Sequence, residues 1–181
     1  MATPAATPTL RATLGVLPSP AAAALQAALT PLLAASTFET TVRLDGAIVL
    51  SATGRSVGDA SQTTATTAGR TVEYVQIPPV AWAREGTAPW VLVAGETAPV
   101  APLDVLAAPL TLEAATTGSA GTFTATYPAT SLGLEGGPLT VAIAIKGATI
   151  TFTFEGTTSG HATSSTTTLR PGTMEPIIAP S

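Results

Sequence analysis

The chain has 181 residues, of which 45% are apolar and 10% are charged. That length suffices for one domain with a hydrophobic core, and the composition is the opposite of that of intrinsically disordered proteins. Seven Lys and Arg against eleven Asp and Glu argue against nucleic-acid binding, and the absence of cysteine excludes disulfides, thiolate metal sites and cysteine nucleophiles.

Residues 1–18 are predicted to form a leader or tether ahead of a single domain over residues 19–181. After Met1, residues 2–9 are only Ala, Thr and Pro, which bury little surface. The segment lacks the basic start and the apolar stretch of a secretory signal. An exported form would therefore need a signal that this sequence does not contain.

A helix is predicted over residues 21–36. Ser19 is a suitable N-cap, and Pro20 suits the first helical position. The leucines at 25, 29, 32 and 33 recur at helical spacing and give one apolar stripe. Pro31 predicts a kink or a break. The run is shorter than the ~20 residues that cross a bilayer, so it is interpreted as a helix that covers a sheet.

From Thr37 onward the apolar period is two, which predicts about eight or nine antiparallel strands. The pair Asp45-Gly46 predicts a hairpin turn. Residues 61–68 are rich in Thr with a weak apolar face, which predicts an edge or solvent-facing strand. A second short helix is expected at 102–110, and residues 171–181 are expected to form an extended tail. The alternation leaves one face of the sheet dry, so the sheet either closes onto a packed core or curls round the helices.

Catalytic chemistry has little support in the sequence. His161 is the one histidine, and a triad with a serine and Asp59 or Asp104 is only a formal possibility. Asp45 and the other acids lie mostly in or beside predicted turns, where solvated carboxylates belong. No metal-ligand spacing or phosphate loop is present. We therefore expect no enzyme activity, no catalytic residue, no metal and no cofactor.

The aromatic residues nearly all fall on predicted strands, where they either form a solid core or line a concave pocket. Small inward residues such as Ala, Thr and Val favour the pocket, because they leave volume that a curled sheet does not refill.

The order of elements around two tryptophans resembles a known family. Residues 70–93 (RTVEYVQIPPVAWAREGTAPWVLV) contain a Gly turn, a strand with Tyr, a strand with Trp, and a second Trp that opens another strand. PLDVL at 102–106 follows, an amphipathic helix precedes the Asp45-Gly46 hairpin, and residues 164–180 supply a last strand and a Pro-containing tail. In these features the chain resembles the LppX/LprG group of actinobacterial lipoproteins, which belongs with the LolA/LolB-like lipoprotein carriers.

The resemblance implies an α+β, mostly antiparallel β fold, in which a strongly curved β half-barrel wraps round short helices and encloses an apolar cavity. It implies a non-enzymatic exported carrier for an acylated lipid, a glycolipid or lipoprotein acyl chains, in the cell envelope or periplasmic space. Such proteins are usually anchored through a lipidated cysteine. This chain has none, so contact with a membrane surface would need a lost lipid anchor. The expected partner is the lipid, without nucleic acid, and the expected state is a monomer.

Strand parity selects the residues expected to line the cavity, and a shift of one residue would exchange the two faces. They are apolar residues of the helices and strands: Leu25, Leu29, Leu32, Val72, Tyr74, Trp82, Trp90, Leu92, Leu106, Phe123, Tyr127, Ile143, Ile145, Phe152 and Phe154. The alternative hypothesis is a filled β-sandwich that acts as a cell-surface structural or adhesion domain without a small-molecule ligand. An elongated apolar cavity of at least ~300 Å³ would distinguish the carrier from the sandwich.

Overall fold

The computed structural model describes residues 19–94, 102–106, 109–114, 121–132 and 137–181, which form one antiparallel sheet with two α-helices and a short 3-10 turn. The predicted leader lies outside the described residues. In chain order the elements are α1 (Pro20–Ala34), β1 (Ala35–Leu44), β2 (Ala47–Val57), β3 (Ala60–Thr67), β4 (Arg70–Ile77), β5 (Val80–Glu85), β6 (Val91–Val93), α2 (Pro102–Leu106), β7 (Thr111–Ala114), β8 (Thr122–Tyr127), the 3-10 turn (Ala129–Leu132), β9 (Leu139–Lys146), β10 (Thr149–Thr158) and β11 (His161–Pro171).

The sheet consists of two meanders joined along one seam. Its order is β6-β5-β4-β3-β2-β1-β11-β10-β9-β8-β7, so β1 and β11 pair at the centre while β6 and β7 are the open edges. We call β1–β6 the N-terminal wing and β7–β11 the C-terminal wing. The prediction of a mostly antiparallel β protein is confirmed, although eleven strands exceed the expected eight or nine.

The prediction that residues 61–68 form an edge or solvent-facing strand is wrong. They correspond to β3, which is hydrogen-bonded to β2 on one side and to β4 on the other. Ser61 and Thr63 in this strand are buried. A Thr-rich strand can occupy the interior of a sheet because the branched side chain packs well on a pleated surface, whether or not that surface is wet.

Helix α1 begins as its sequence predicts. The Ser19 side chain accepts a hydrogen bond from the Ala22 amide at 3.1 Å, and Pro20 lies in the first turn. The helix continues through Pro31 to Ala34, so no break occurs there. Near the end of a helix, proline removes one hydrogen bond and leaves little helix to disrupt. Leu25, Leu29 and Leu32 are buried, and β1 starts directly after the helix, which therefore ends before the predicted residue 36.

Hairpin turns occur where the sequence predicts them. Asp45 and Gly46 have φ values of 49° and 82°, as a two-residue turn with left-handed backbone requires. Gly147-Ala148 connects β9 to β10 as another two-residue turn, in which Gly147 has a positive φ of 59°. These short turns fix the register of the strands that follow them.

The two faces of the sheet differ. We call the face that carries Phe38, Leu169 and Ile150 the inner face, since these residues lie opposite one another across the central strands; Phe152, two residues after Ile150, lies on the same face. Helix α1 packs on this face, and the buried cluster contains the helix leucines and residues from both wings. The outer face of the C-terminal wing is lined by threonines, as in the pairs Thr111–Thr126 and Thr151–Thr168. One dry face and one wet face is the arrangement expected from period-two alternation.

Candidate functional site

The interior lies between α1 and the inner face of the C-terminal wing. Leu25 and Leu29 from the helix, and Val141, Ile143 and Ile150 from the sheet, have no exposed surface. A side chain beside a void large enough for water would retain some exposure. The space around these five residues is therefore filled by protein atoms, at the density usual for a core.

The structure brings most of the predicted cavity residues into this one cluster. Those buried in it are Leu25, Leu29, Leu32, Phe123, Tyr127, Ile143, Phe152 and Phe154, and Ile145 packs against it. Val72 and Tyr74 are half-buried on the inner face of the N-terminal wing, where Tyr74 lies opposite Thr63 and Ala83. The side chain of Leu106 lies outside the described residues.

Trp82, Trp90 and Leu92 lie elsewhere. Trp82 is opposite Val75 and Leu92 in the register, so both Trp82 and Leu92 project from the outer face, away from Tyr74. Together with Trp90 they line an open outer groove of about 730 Å³. Arg84 lies over the Trp90 ring at 4.6 Å and donates to Glu73 Oε2 at 2.8 Å. Such a cation–π contact fixes the ring beside its groove.

Tyr127 is the largest fully buried side chain of the interior. Burial raises the pKa of its phenol well above the ordinary value, because the low-polarity surroundings disfavour the phenolate. The hydroxyl is therefore neutral at all physiological pH values.

Gly54 lies in close contact with the ring of Phe38, and the sequence did not predict this contact. A Cβ at this position would collide with the Phe38 ring and would lie 2.5 Å from the carbonyl oxygen of Gln62. Phe38 is directly opposite Gly54 in the register. The glycine thus makes room for the ring that joins the core to the N-terminal wing.

The C-terminal tail crosses the outer face of the N-terminal wing. The Arg55 guanidinium donates to the carbonyl oxygen of Glu175 at 3.0 Å, and Pro180 lines the groove beside Trp82. Arg55, Gln62, Val75 and Trp82 form one row across four strands. Five extended residues reach about 16 Å, which matches the three strand spacings, about 14 Å, along that row. The tail therefore runs across the strands, on the outer face where Val75 is buried.

His161 forms a pair with Asp45, which is not one of the two acids considered for a triad, and the side chain of Asp104 lies outside the described residues. Its Nδ1 lies 2.7 Å from Asp45 Oδ2, and the Ala162 amide donates to Asp45 Oδ1 at 3.0 Å. The hydrogen bond from His161, followed by that from the Ala162 amide, lowers the pKa of the Asp45 carboxyl. The pair ties the β1–β2 hairpin to the β10–β11 hairpin at an exposed end of the sheet.

The serine of the elbow-like pattern does not lie beside His161. Residues 54–58 read G-R-S-V-G, the pattern of a nucleophile elbow, but Ser56 lies within β2 rather than in a turn between a strand and a helix. Ser56 is opposite Ser36 near the start of β1, whereas His161 pairs with Asp45 just after the end of that strand. Nine residues of strand separate those positions by about 30 Å. Ser56 therefore lies far from the imidazole, which a triad nucleophile must contact.

Other kinds of site are sparse in the described ranges. They contain no group of three or more His, Asp or Glu side chains placed to hold a metal ion. No helix within them combines the length and the apolar character needed to cross a membrane.

Comparison with known proteins adds no family assignment. No protein-family model matches the chain, and no curated protein matches it. The fold alone defines the class of the protein, which is a mostly antiparallel β protein with an eleven-stranded open sheet.

Proposed function

We propose that the protein is a non-enzymatic, exported carrier or binding module for an acylated lipid, a glycolipid or lipoprotein acyl chains. The observation that supports it most is the way the apolar face is covered. All eleven strands belong to one open sheet, and helices α1 and α2, rather than a second sheet, pack against its inner face. A β-sandwich buries its core between two sheets, whereas helices over one sheet are the arrangement of the carriers that the sequence resembles.

The contacts of α1 support a curved half-barrel. This helix of 15 residues is about 22 Å long, and its main sheet contacts are with β1, β2, β11 and the far edge β7. Six strand spacings separate β2 from β7, which is about 29 Å in a flat sheet. A sheet that curls toward the helix would bring β7 back to α1.

The ligand would occupy the space between α1 and the inner face. Since Leu25 and Leu29 have no exposed surface, an acyl chain can enter only if the helix moves away from the sheet. The chain would then replace the leucines as the partner of Ile143 and Phe152. Burying an acyl chain contributes about 0.8 kcal/mol for each CH₂ group, which compensates for the contacts that α1 loses.

A surface structural or adhesion domain is the second candidate, and the filled interior favours it. Val141, Ile143 and Ile150 are packed without exposed surface, as in a solid core. The threonine-lined outer face of the C-terminal wing is a large, weakly charged surface that a contact protein could use.

Native mass spectrometry with organic extraction tests the carrier. The protein is secreted from a lipid-rich actinobacterial host, and a reproducible extra mass that solvent releases as an acylated lipid is expected. A clean mass that stays unchanged after incubation with lipid extract would contradict the proposal and leave the structural domain.

The position of the lipid is tested with a fatty acid that carries a photoreactive diazirine at its apolar end. Cross-links are expected on α1 and on inner-face residues such as Phe152 and Ile143. Labelling confined to the outer groove at Trp82 and Leu92 would instead indicate adsorption to the surface and would exclude the interior site.

A further inference from the structure

A groove lies on the outer face, at the seam between the two wings. Two arginines, Arg55 and Arg170, line it on either side of Thr37. Thr37 of β1 is directly opposite Arg170 of β11 and Arg55 of β2. All three side chains therefore project from the same face, and the Cα atoms of the arginines are about 10 Å apart, or two strand spacings. The groove they line has a volume of about 380 Å³.

Within the part of the chain that the structure describes, no carboxylate forms an ion pair with either arginine. Arg55 donates from Nε to Gln62 Oε1 at 3.1 Å and from Nη1 to the carbonyl oxygen of Glu175 at 3.0 Å. Both partners are neutral, so the guanidinium keeps its charge and its remaining N–H groups while its position is fixed. Arg170 makes no hydrogen bond or ion pair within the described part of the chain.

The surrounding charges leave the groove positive. Glu39 is its one lining carboxylate, and it forms no ion pair with either arginine. The nearby Arg84–Glu73 pair is internally neutral. Two positive charges and one negative charge thus share the groove, in a protein whose formal net charge is −4.

We propose that the groove between Arg55 and Arg170 binds a phosphate group. A guanidinium presents a planar fork of N–H donors that matches two phosphate oxygens, and two such forks facing one point can hold a third oxygen as well. Thr37 and Thr53 also line the groove, and a threonine hydroxyl is a neutral donor. Because Arg55 is already held by two hydrogen bonds, less side-chain entropy is lost when the anion binds.

The groove lies on the face of the sheet opposite α1, so the inference goes beyond the carrier function and does not rest on it. The phosphate can belong to a soluble phosphate monoester or to the headgroup of an anionic phospholipid. Both sources present the same oxygens to the arginines.

Isothermal titration calorimetry with glycerol 3-phosphate tests the soluble source, with glycerol as the uncharged control ligand. The unaltered protein is expected to bind the phosphate ester and not glycerol. Arg170→Ala is expected to weaken binding about tenfold or more, the usual loss when a charge-assisted hydrogen bond is removed. Arg43→Ala is the matched control, since Arg43 also lies on the outer face of β1 but donates to the Gly46 carbonyl oxygen.

Sedimentation with phosphatidylcholine vesicles, with and without phosphatidylglycerol, tests the headgroup source. Binding that requires phosphatidylglycerol and is lost in Arg170→Ala, without binding of glycerol 3-phosphate, would assign the site to a membrane headgroup. Equal losses in Arg170→Ala and Arg43→Ala would show only long-range attraction and would overturn the proposal. So would the absence of binding in both assays. Circular dichroism of each variant checks that Arg170→Ala remains folded.

Discussion

The two wings of the sheet follow the same alternation, but only the N-terminal wing also places large apolar side chains on its outer face. The C-terminal wing turns Phe123, Ile143 and Phe152 toward α1 and threonines toward solvent. In the N-terminal wing the tryptophan of β5 projects from the outer face, while the inner positions opposite Tyr74 are the small residues Thr63 and Ala83. A regular pattern therefore identifies strands in both wings, but it identifies the buried face only where a helix supplies the cover.

Truncation of an α1 leucine is expected to have the largest effect on stability, because it leaves a cavity in the filled interior. Leu29→Ala removes a side chain with no exposed surface and should lower the free energy of unfolding by about 2–5 kcal/mol. Leu92→Ala, at a residue that is 69% exposed in the other wing, should change it by less than about 0.5 kcal/mol. Urea denaturation measures both. Equal losses in the free energy of unfolding would show that side chains in the outer groove stabilise the fold as much as those in the interior.

Substitution of Gly54 tests how the core is joined to the N-terminal wing. Gly54→Ala should lower the free energy of unfolding by about 1–3 kcal/mol, because the added methyl group collides with the Phe38 ring. Gly137→Ala is the control, since a Cβ there meets no atom within 4 Å. If the two substitutions have the same effect in thermal and urea denaturation, the close contact at Gly54 does not stabilise the fold.

Two adjacent isoleucines test whether the tail is part of the N-terminal wing. Ile177 is 9% exposed and Ile178 is 78% exposed. Ile177→Ala should cost about 2 kcal/mol, whereas Ile178→Ala should change stability by less than about 0.5 kcal/mol. Both tryptophans of the chain line the groove that the tail enters, so the tryptophan emission should shift to the red only in Ile177→Ala. Identical spectra for the two variants would contradict the crossing of the tail over this face.

Loss of the pair between His161 and Asp45 is expected to have the smallest effect on stability, and this effect appears only at acidic pH. The pKa of Asp45 is lowered from its ordinary value of 3.8, so its contribution is present above that pH and is lost as pH falls through the lowered value. The melting temperature of the unaltered protein should therefore fall more steeply below pH 3.8 than that of His161→Ala. Melting temperatures measured from pH 7 to pH 2 test this, and parallel curves would show that the hydrogen bond contributes nothing.

Local sequence signals predicted the helix start and the hairpins because each depends on neighbouring residues. Ser19-Pro20 and Asp45-Gly46 carry their backbone conformations within two positions. The inner face of the C-terminal wing was predictable for the same reason, since its large apolar residues alternate strictly with threonine.

The candidate sites on the outer face could not be predicted, because they depend on which strands become neighbours. Arg55 and Arg170 meet only because β1 pairs with both β2 and β11. His161 and Asp45 are separated by 116 residues, and nothing local to either one selects the other. The neighbourhood of β3 was misjudged for a similar reason, since composition does not indicate how many partners a strand has.

The seam between β1 and β11 has a consequence for synthesis of the protein. Thr40 and Thr167, whose hydroxyls lie 2.9 Å apart across it, are separated by 127 residues. The N-terminal wing can assemble from successive hairpins as it leaves the ribosome, but the surface that covers the leucines of α1 is completed by strands made last. Until then β1 and β2 are the only strands of its contact set that have been made, so the apolar stripe of the helix stays partly uncovered. The nascent chain would offer that stripe to chaperones until its final strand emerges.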